Sequence, residues 1–284
     1  MAEGSGTHSL DGNRGGARVN STSKAIRILE CFTPAQPELS LGQLSSLLHM
    51  PKSTLLNQLR TLTDANMLMR VQNGRAYCLG YKIMQLSYNA RKSSSIAQYA
   101  IPIMEDLQVA TGEIIYLTSY IDGKVFYMEC LYPSHRSVSY SIAGKTLPMH
   151  CTGCGKAMLS YMDEREIRRI IDKNGLEGFT PHTITSRQAL MKELAVTKAR
   201  GYALDNEEET LGVRCVAAAI RDERANVAGA LSISASVLSI NEEVAETYAK
   251  MLLRACNMLS PYARLFPALM LENESCSREQ QSGL

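Results

Sequence analysis

The sequence has 284 residues, 45% of them hydrophobic and 20% charged, which is enough for about two packed domains and excludes disorder along the whole chain. No run is long and apolar enough for a membrane span, and eight scattered cysteines without a secretory signal read as reduced thiols, so the expectation is a cytoplasmic protein with no membrane partner. The net charge of +2 conceals a division: residues 1–18 are neutral, residues 19–92 carry nine cations against three anions, and the remainder carries 19 against 23, which points to a polyanion met by the first quarter alone.

Residues 1–18 hold five glycines and almost no large apolar side chains, the composition of a disordered tail. From Ser21 an apolar stripe of Ala25, Ile26, Ile28, Leu29 and Phe32 recurs at helical spacing and ends before Pro34 and Pro37. Ser40 is placed to cap a second short helix carrying Leu41, Leu44, Leu47 and Leu48. Pro51 then opens a third with Leu55, Leu56, Leu59 and Leu62. The runs Met67–Val71 and Arg75–Leu79 flank Asn73-Gly74, a strong hairpin signal. Helix, helix, turn, helix and hairpin within about 60 residues is the order of a winged helix-turn-helix, whose third helix enters the major groove of double-stranded DNA. Lys52, Ser53 and Thr54 stand at the start of that helix and Asn57 one turn on, where its amide can read adenine. Arg60 follows, and Arg70 and Arg75 flank the wing as phosphate contacts.

Gly80–Thr111 is helical again, interrupted at Lys92–Ser95, where we place the domain boundary near residue 93. Beyond it, Ile114–Tyr120 and Lys124–Cys130 flank Asp122-Gly123 as a second hairpin, and Ser137–Ile142 is a further strand. Helical patterns follow at Cys151–Tyr161, Asp163–Ile171 and Arg187–Arg200. Strands are expected at Tyr202–Asp205, Arg214–Ile220 and Val227–Ser234, then a helix capped by Asn241 and reaching about Ser260. Such a run gives an α+β domain with an antiparallel sheet. The polar stretch from Leu271 reads as a loose tail.

The densest chemistry is Met149-His150-Cys151-Thr152-Gly153-Cys154-Gly155-Lys156. A phosphate-binding loop fails because His150 stands where its first glycine is needed and Ala157 replaces its hydroxyl. A zinc deaminase fails because Thr152 replaces the general-base glutamate. Three readings remain beside a glycine that serves packing only. One is a backbone cradle, in which the amides after Gly153 open a helix and attract a small carboxylate. Another is a thiol pair of Cys151 and Cys154, with pKa lowered by the helix start, acting in redox sensing. The last is a metal site using the same thiols, for which no second ligand pair is evident. Ser232 and Ser234 alternate along a strand and share a face, fit to hold an oxygen-rich ligand. Cys215 alone reads as a core thiol, and Glu208 and Glu209 as a solvated acidic turn. No nucleophile–base–acid set, cofactor motif or metal set stands out, so an enzyme is not expected.

Several motifs in order resemble the IclR family of bacterial transcriptional regulators: Pro51-Lys52-Ser53-Thr54 with Leu59 and Thr61-Leu62, the stretch Gly144–Ala157, Gly201–Glu208, Gly212–Cys215 and Leu231–Ser234. Within the family the chain is most similar to the glyoxylate-shunt and allantoin regulators. The resemblance spans residues 19–265 and implies a winged helix-turn-helix over 19–92, then a linker helix and GAF-like effector domain over 93–265, with residues 266–284 as a loose tail. It implies a repressor or activator of a catabolic operon, with repression the preferred reading, working as a homodimer or dimer of dimers on operator DNA. It also implies that the amides of Gly153 and Cys154 hold the carboxylate of a keto acid or sugar acid, ringed by Asp205, Cys215, Ser232 and Ser234. Asn57 and Gln58 depart from the family's usual Arg and Leu, so the operator sequence cannot be carried over. Arg136 and Ser139 stand where relatives have apolar pocket residues, which favours a larger or more polar ligand.

Overall fold

The computed structural model describes residues 20–93, 96–134 and 142–266, which divide into two compact units between Lys92 and Ser93. The expected tails at 1–18 and 267–284, and the strand over Ser137–Ile142 apart from Ile142 itself, lie outside the described residues, as do Arg136 and Ser139.

The first unit runs α1 (Asn20–Glu30), β1 (Leu39–Ser40), α2 (Leu41–Leu48), α3 (Lys52–Asp64), β2 (Leu68–Val71), β3 (Ala76–Leu79) and α4 (Tyr81–Ser93). Ser40 caps α2 through a reciprocal box with Gln43: the Gln43 amide donates to Ser40 Oγ at 3.3 Å and the Ser40 amide donates to Gln43 Oε1 at 2.9 Å. His49 ends α2 in the left-handed region at φ 51°, and Pro51 caps α3, so α2 and α3 are joined by a sharp turn. β2 and β3 pair antiparallel from Leu68↔Leu79 to Val71↔Ala76, closed by Asn73 and Gly74 at φ 56° and 85°, conformations that Asn and Gly adopt at least cost. Ile28, Leu44, Leu55, Leu59 and Leu68 fill the core. Three aliphatic side chains assigned to apolar stripes face solvent instead: Ile26, Leu47 and Leu56. In α3 the core is covered by Leu55, Leu59 and Leu62 at i, i+4 and i+7. A residue at i+1 is rotated about 100° away from that line.

The second unit runs α5 (Ile96–Thr111), β4 (Ile114–Ile121), β5 (Lys124–Leu131), β6 (Thr146–Pro148), α6 (Gly153–Leu159), α7 (Glu164–Asn174), α8 (Arg187–Arg200), β7 (Ala203–Asn206), β8 (Val213–Arg221), β9 (Val227–Ser236) and α9 (Glu242–Leu259). Among the described residues its six strands form one antiparallel sheet in the order β6-β5-β4-β9-β8-β7. The alternation along β8 explains the layering. Val216, Ala218 and Ile220 enter the core shared with α5 and α9, whereas Ala217 enters the core on the opposite face with Met158, Ile167 and Leu190. Helices therefore cover both faces. The edge strand β6 has no counterpart in the sequence reading, because three residues are too few to show an alternation. Phe266, the first residue assigned to the loose tail, is fully buried against Gly229. Among the described residues no helix is long and apolar enough to cross a membrane.

Candidate functional site

The start of α6 is built by Thr152. Its backbone is extended, its Oγ1 accepts the Gly155 amide at 3.2 Å and donates to the Pro148 carbonyl at 3.1 Å, and its own carbonyl accepts the Lys156 amide at 3.0 Å. Those bonds use the third and fourth amides of the helix. The first two, of Gly153 and Cys154, are donors that a helix start leaves without a partner in the helix. Gly153 lies so close to the sheet that a Cβ there would stand 3.3 Å from Ala217 Cβ, 3.5 Å from Cys215 Cβ and 3.7 Å from Asp205 Cβ.

Register brings the remaining candidates together. Asp205 pairs with Cys215 and Cys215 with Ser234, a row across β7, β8 and β9, and the Cys215 thiol donates to Ser234 Oγ at 3.2 Å. A cavity of about 410 Å³ opens beside this row. Asp205, Cys215 and Ser234 line it together with Thr152, Tyr116 and Tyr127, whose rings meet edge to face at 5.2 Å. Gly153, Cys154 and Ser232 are not part of the lining. Ser232 shares the face of Ser234, as expected, but lies two residues along β9, buried in register with Ala217 on β8 and Tyr116 on β4.

Sequence reasoning missed Thr152, Tyr116 and Tyr127, and it misjudged the acidic turn. Glu209 lines the cavity, and Glu208 is buried and ion-paired with Lys156, itself 1% exposed. The available signal was Lys156: a single cation within the otherwise uncharged run Gly153–Leu159 requires a buried counter-ion. The Glu208 amide donates to Asp205 Oδ1 at 2.9 Å, and the Thr183 hydroxyl donates to the Glu208 carbonyl. His150 is also buried, with Nε2 2.9 Å from the Glu177 carbonyl oxygen.

Burial pushes the Asp205 carboxyl from its ordinary 3.8 up to about 7. The Glu208 amide and Lys156 oppose that shift, and the Glu208 carboxylate adds to it. A carboxyl whose folded pKa exceeds its unfolded value binds its proton more tightly in the folded state. Its contribution to stability is therefore full below the ordinary pKa and is lost as pH rises through about 7. Asp205→Asn is expected to flatten the fall in melting temperature across that window relative to the unmodified protein. Parallel pH profiles for the two proteins would show that Asp205 titrates in its ordinary range.

The same burial overturns the expectation that a helix start activates the thiols. Cys151 is pushed up to about 12, and Cys154 and Cys215 are also raised, desolvation being the largest cause in each. Neutral, buried thiols are poor nucleophiles and poor ligands. Among the described residues no group of three His, Cys, Asp or Glu is placed to hold a metal ion. The redox- or metal-sensing reading of Cys151 and Cys154 thus has no support.

In the first unit, Lys52, Ser53, Asn57 and Arg60 are exposed on α3, with Thr54 half-buried in its first turn. Arg75 is exposed beside the hairpin turn, and Arg70 is exposed with its guanidinium carbon 5.7 Å from the centre of the Tyr77 ring.

The model of the IclR helix-turn-helix domain matches residues 21–71, and that of the bacterial transcriptional regulator IclR C-terminal domain matches residues 88–261. The HTH-type transcriptional regulator XynR of Escherichia coli K12 is 32% identical over 243 residues, 85% of this chain and 96% of its own. The transcriptional repressor IclR of the same organism is 27% identical over 241 residues, 84% of this chain and 88% of its own. The crystal structure of the Thermotoga maritima IclR superposes with a TM-score of 0.68 at 25% identity, covering 86% of this chain and 98% of that one.

Proposed function

The chain belongs to the IclR family of bacterial transcriptional regulators, a DNA-binding and non-enzymatic family, and on that premise we propose that it represses a catabolic operon under the control of a small carboxylate. In this reading residues 19–92 bind operator DNA. The first turn of α3 (Lys52, Ser53 and Thr54) and Asn57 reach base edges and nearby phosphates, and Arg60 and Arg75 hold the backbone. Residues 93–265 bind the effector, and the protein works in the cytoplasm, where the chromosome lies.

The observation that carries the effector reading is the cavity lined by Thr152, which caps α6, and by the row Asp205, Cys215 and Ser234. The amides of Gly153 and Cys154 would take the ligand carboxylate, and Ser234 and Cys215 a neighbouring oxygen. Asp205, held partly protonated by burial, avoids full repulsion of an anion and selects a ligand bearing a hydroxyl or hydrate. A volume of about 410 Å³ leaves room for a sugar acid as well as a keto acid. The exposed side chains Tyr81, Met84, Leu86 and Tyr88 give α4 an apolar surface suited to a second copy, consistent with a homodimer or dimer of dimers. The effector changes operator affinity by as much as it prefers one conformer of the protein.

A thermal-shift screen against keto acids, sugar acids and aromatic acids tests the site. One class is expected to stabilise the protein, and Ser234→Ala to weaken that ligand by about 1–2 kcal/mol, roughly tenfold, through one lost hydrogen bond. Stabilisation by no acid, or unchanged affinity in the Ser234 variant, would remove the cavity from this role.

A further inference from the structure

Leu56 sits in the second turn of α3 with 46% of its surface exposed, while Leu55, Leu59 and Leu62 on the same helix are buried in the core of the first unit. Its neighbours one turn away are Lys52 and Ser53 on one side and Arg60 on the other, with Asn57 adjacent, all exposed. Leu56 is therefore the one large apolar side chain on the outward face of α3, and it lies in the middle of the residues assigned to DNA. A leucine can neither donate nor accept a hydrogen bond. Pressed against the polar edge of adenine, guanine or cytosine it would desolvate that edge without compensation. The major groove offers one apolar group, the 5-methyl of thymine.

We propose that Leu56 is a base-specificity residue that packs on the methyl group of a thymine in the operator, so that each half-site carries a thymine at that position. The proposal rests on the reading that α3 enters the major groove.

The test begins with selection of binding sites for the full-length protein from a random duplex pool. Each thymine of the selected site is then replaced in turn by deoxyuridine, which removes the methyl and leaves base pairing intact. At one position per half-site this replacement is expected to weaken binding about fourfold, the ratio equivalent to about 0.8 kcal/mol for one buried methyl. Leu56→Ala is expected to bind the thymine and deoxyuridine sites equally, and Leu56→Gln to select a different base there. Because Leu56 lies outside the core, both variants should melt with the unmodified protein. A defined selected site in which no thymine methyl matters, or one whose methyl matters equally in Leu56→Ala, overturns the proposal and leaves the assignment of α3 standing. A pool that yields no preferred sequence overturns both. Equal melting with a change of oligomeric state in Leu56→Ala would make the side chain a contact between copies and also overturn it.

Discussion

Lys156→Met is expected to destabilise the second unit by about 3–5 kcal/mol, the cost of leaving one partner of a buried ion pair without the other. Lys156 is 1% exposed and the Glu208 side chain 6%, and Glu208 Oε2 already lacks a hydrogen-bond partner. Once the ammonium is gone, no other cation is bonded to that carboxylate among the described residues. The penalty comes from desolvated charge rather than lost attraction, which dictates the control. Lys156→Met combined with Glu208→Leu removes both charges, keeps comparable volume, and should recover most of the loss. Urea unfolding of the three proteins decides the matter. A single variant within 1 kcal/mol of the parent would mean that water reaches the pair in solution. The loss should also extend to effector binding, because the turn that carries Glu208 also places its amide on Asp205.

Gly155→Ala should be comparably severe for a different reason. A Cβ there would lie 2.2 Å from the Met149 carbonyl oxygen and 2.4 Å from the Met149 Cα, both backbone atoms with no rotamer to change. The chain must open between β6 and α6, which breaks the bond from the Gly155 amide to Thr152 and moves the amides of Gly153 and Cys154. Overpacking of this kind costs about 1–3 kcal/mol, and the lost cap adds about 1 kcal/mol. Gly42→Ala is the contrasting substitution: its Cβ would meet only Ser40 Oγ, at 3.9 Å, on a helix that alanine favours by about 1 kcal/mol. Opposite shifts in melting temperature are therefore expected from the same change of one methyl group. Equal stability of Gly155→Ala and the parent would show that the close approach at Met149 is not maintained.

Local signals account for what was legible in the sequence. Ser40, Pro51 and Asn73-Gly74 act within a few residues of where they stand, so the helices and the hairpin of the first unit followed from spacing. Ser232 and Ser234 share a face for the same reason. What could not be read was register. Asp205, Cys215 and Ser234 lie on three strands and meet only because β7, β8 and β9 pair as they do. Resemblance to a family brought Asp205 and Cys215 to attention; the apolar composition of its strand alone makes Cys215 a core thiol. Lys156 and Glu208 find each other across a helix and a turn, so the acidic run looked solvated. Tyr116 and Tyr127 read as ordinary strand residues until the cavity beside them was visible. Leu56 joins the apolar stripe of α3 in the sequence because a leucine pair at i and i+1 does not reveal which member faces inward.

The strand order has a consequence in time. β4 pairs with β9, so the sheet of the second unit cannot be completed until the chain has been made as far as Ser236, and Phe266 closes over Gly229 later still. The first unit is complete by residue 92. At about 5–20 residues per second, the ribosome takes on the order of 10–30 s to cover that interval. The helix-turn-helix segment is therefore fully synthesised while β9, which pairs with both β4 and β8, is still to be made, so the first unit has its whole sequence available for folding before the sheet of the second unit can close.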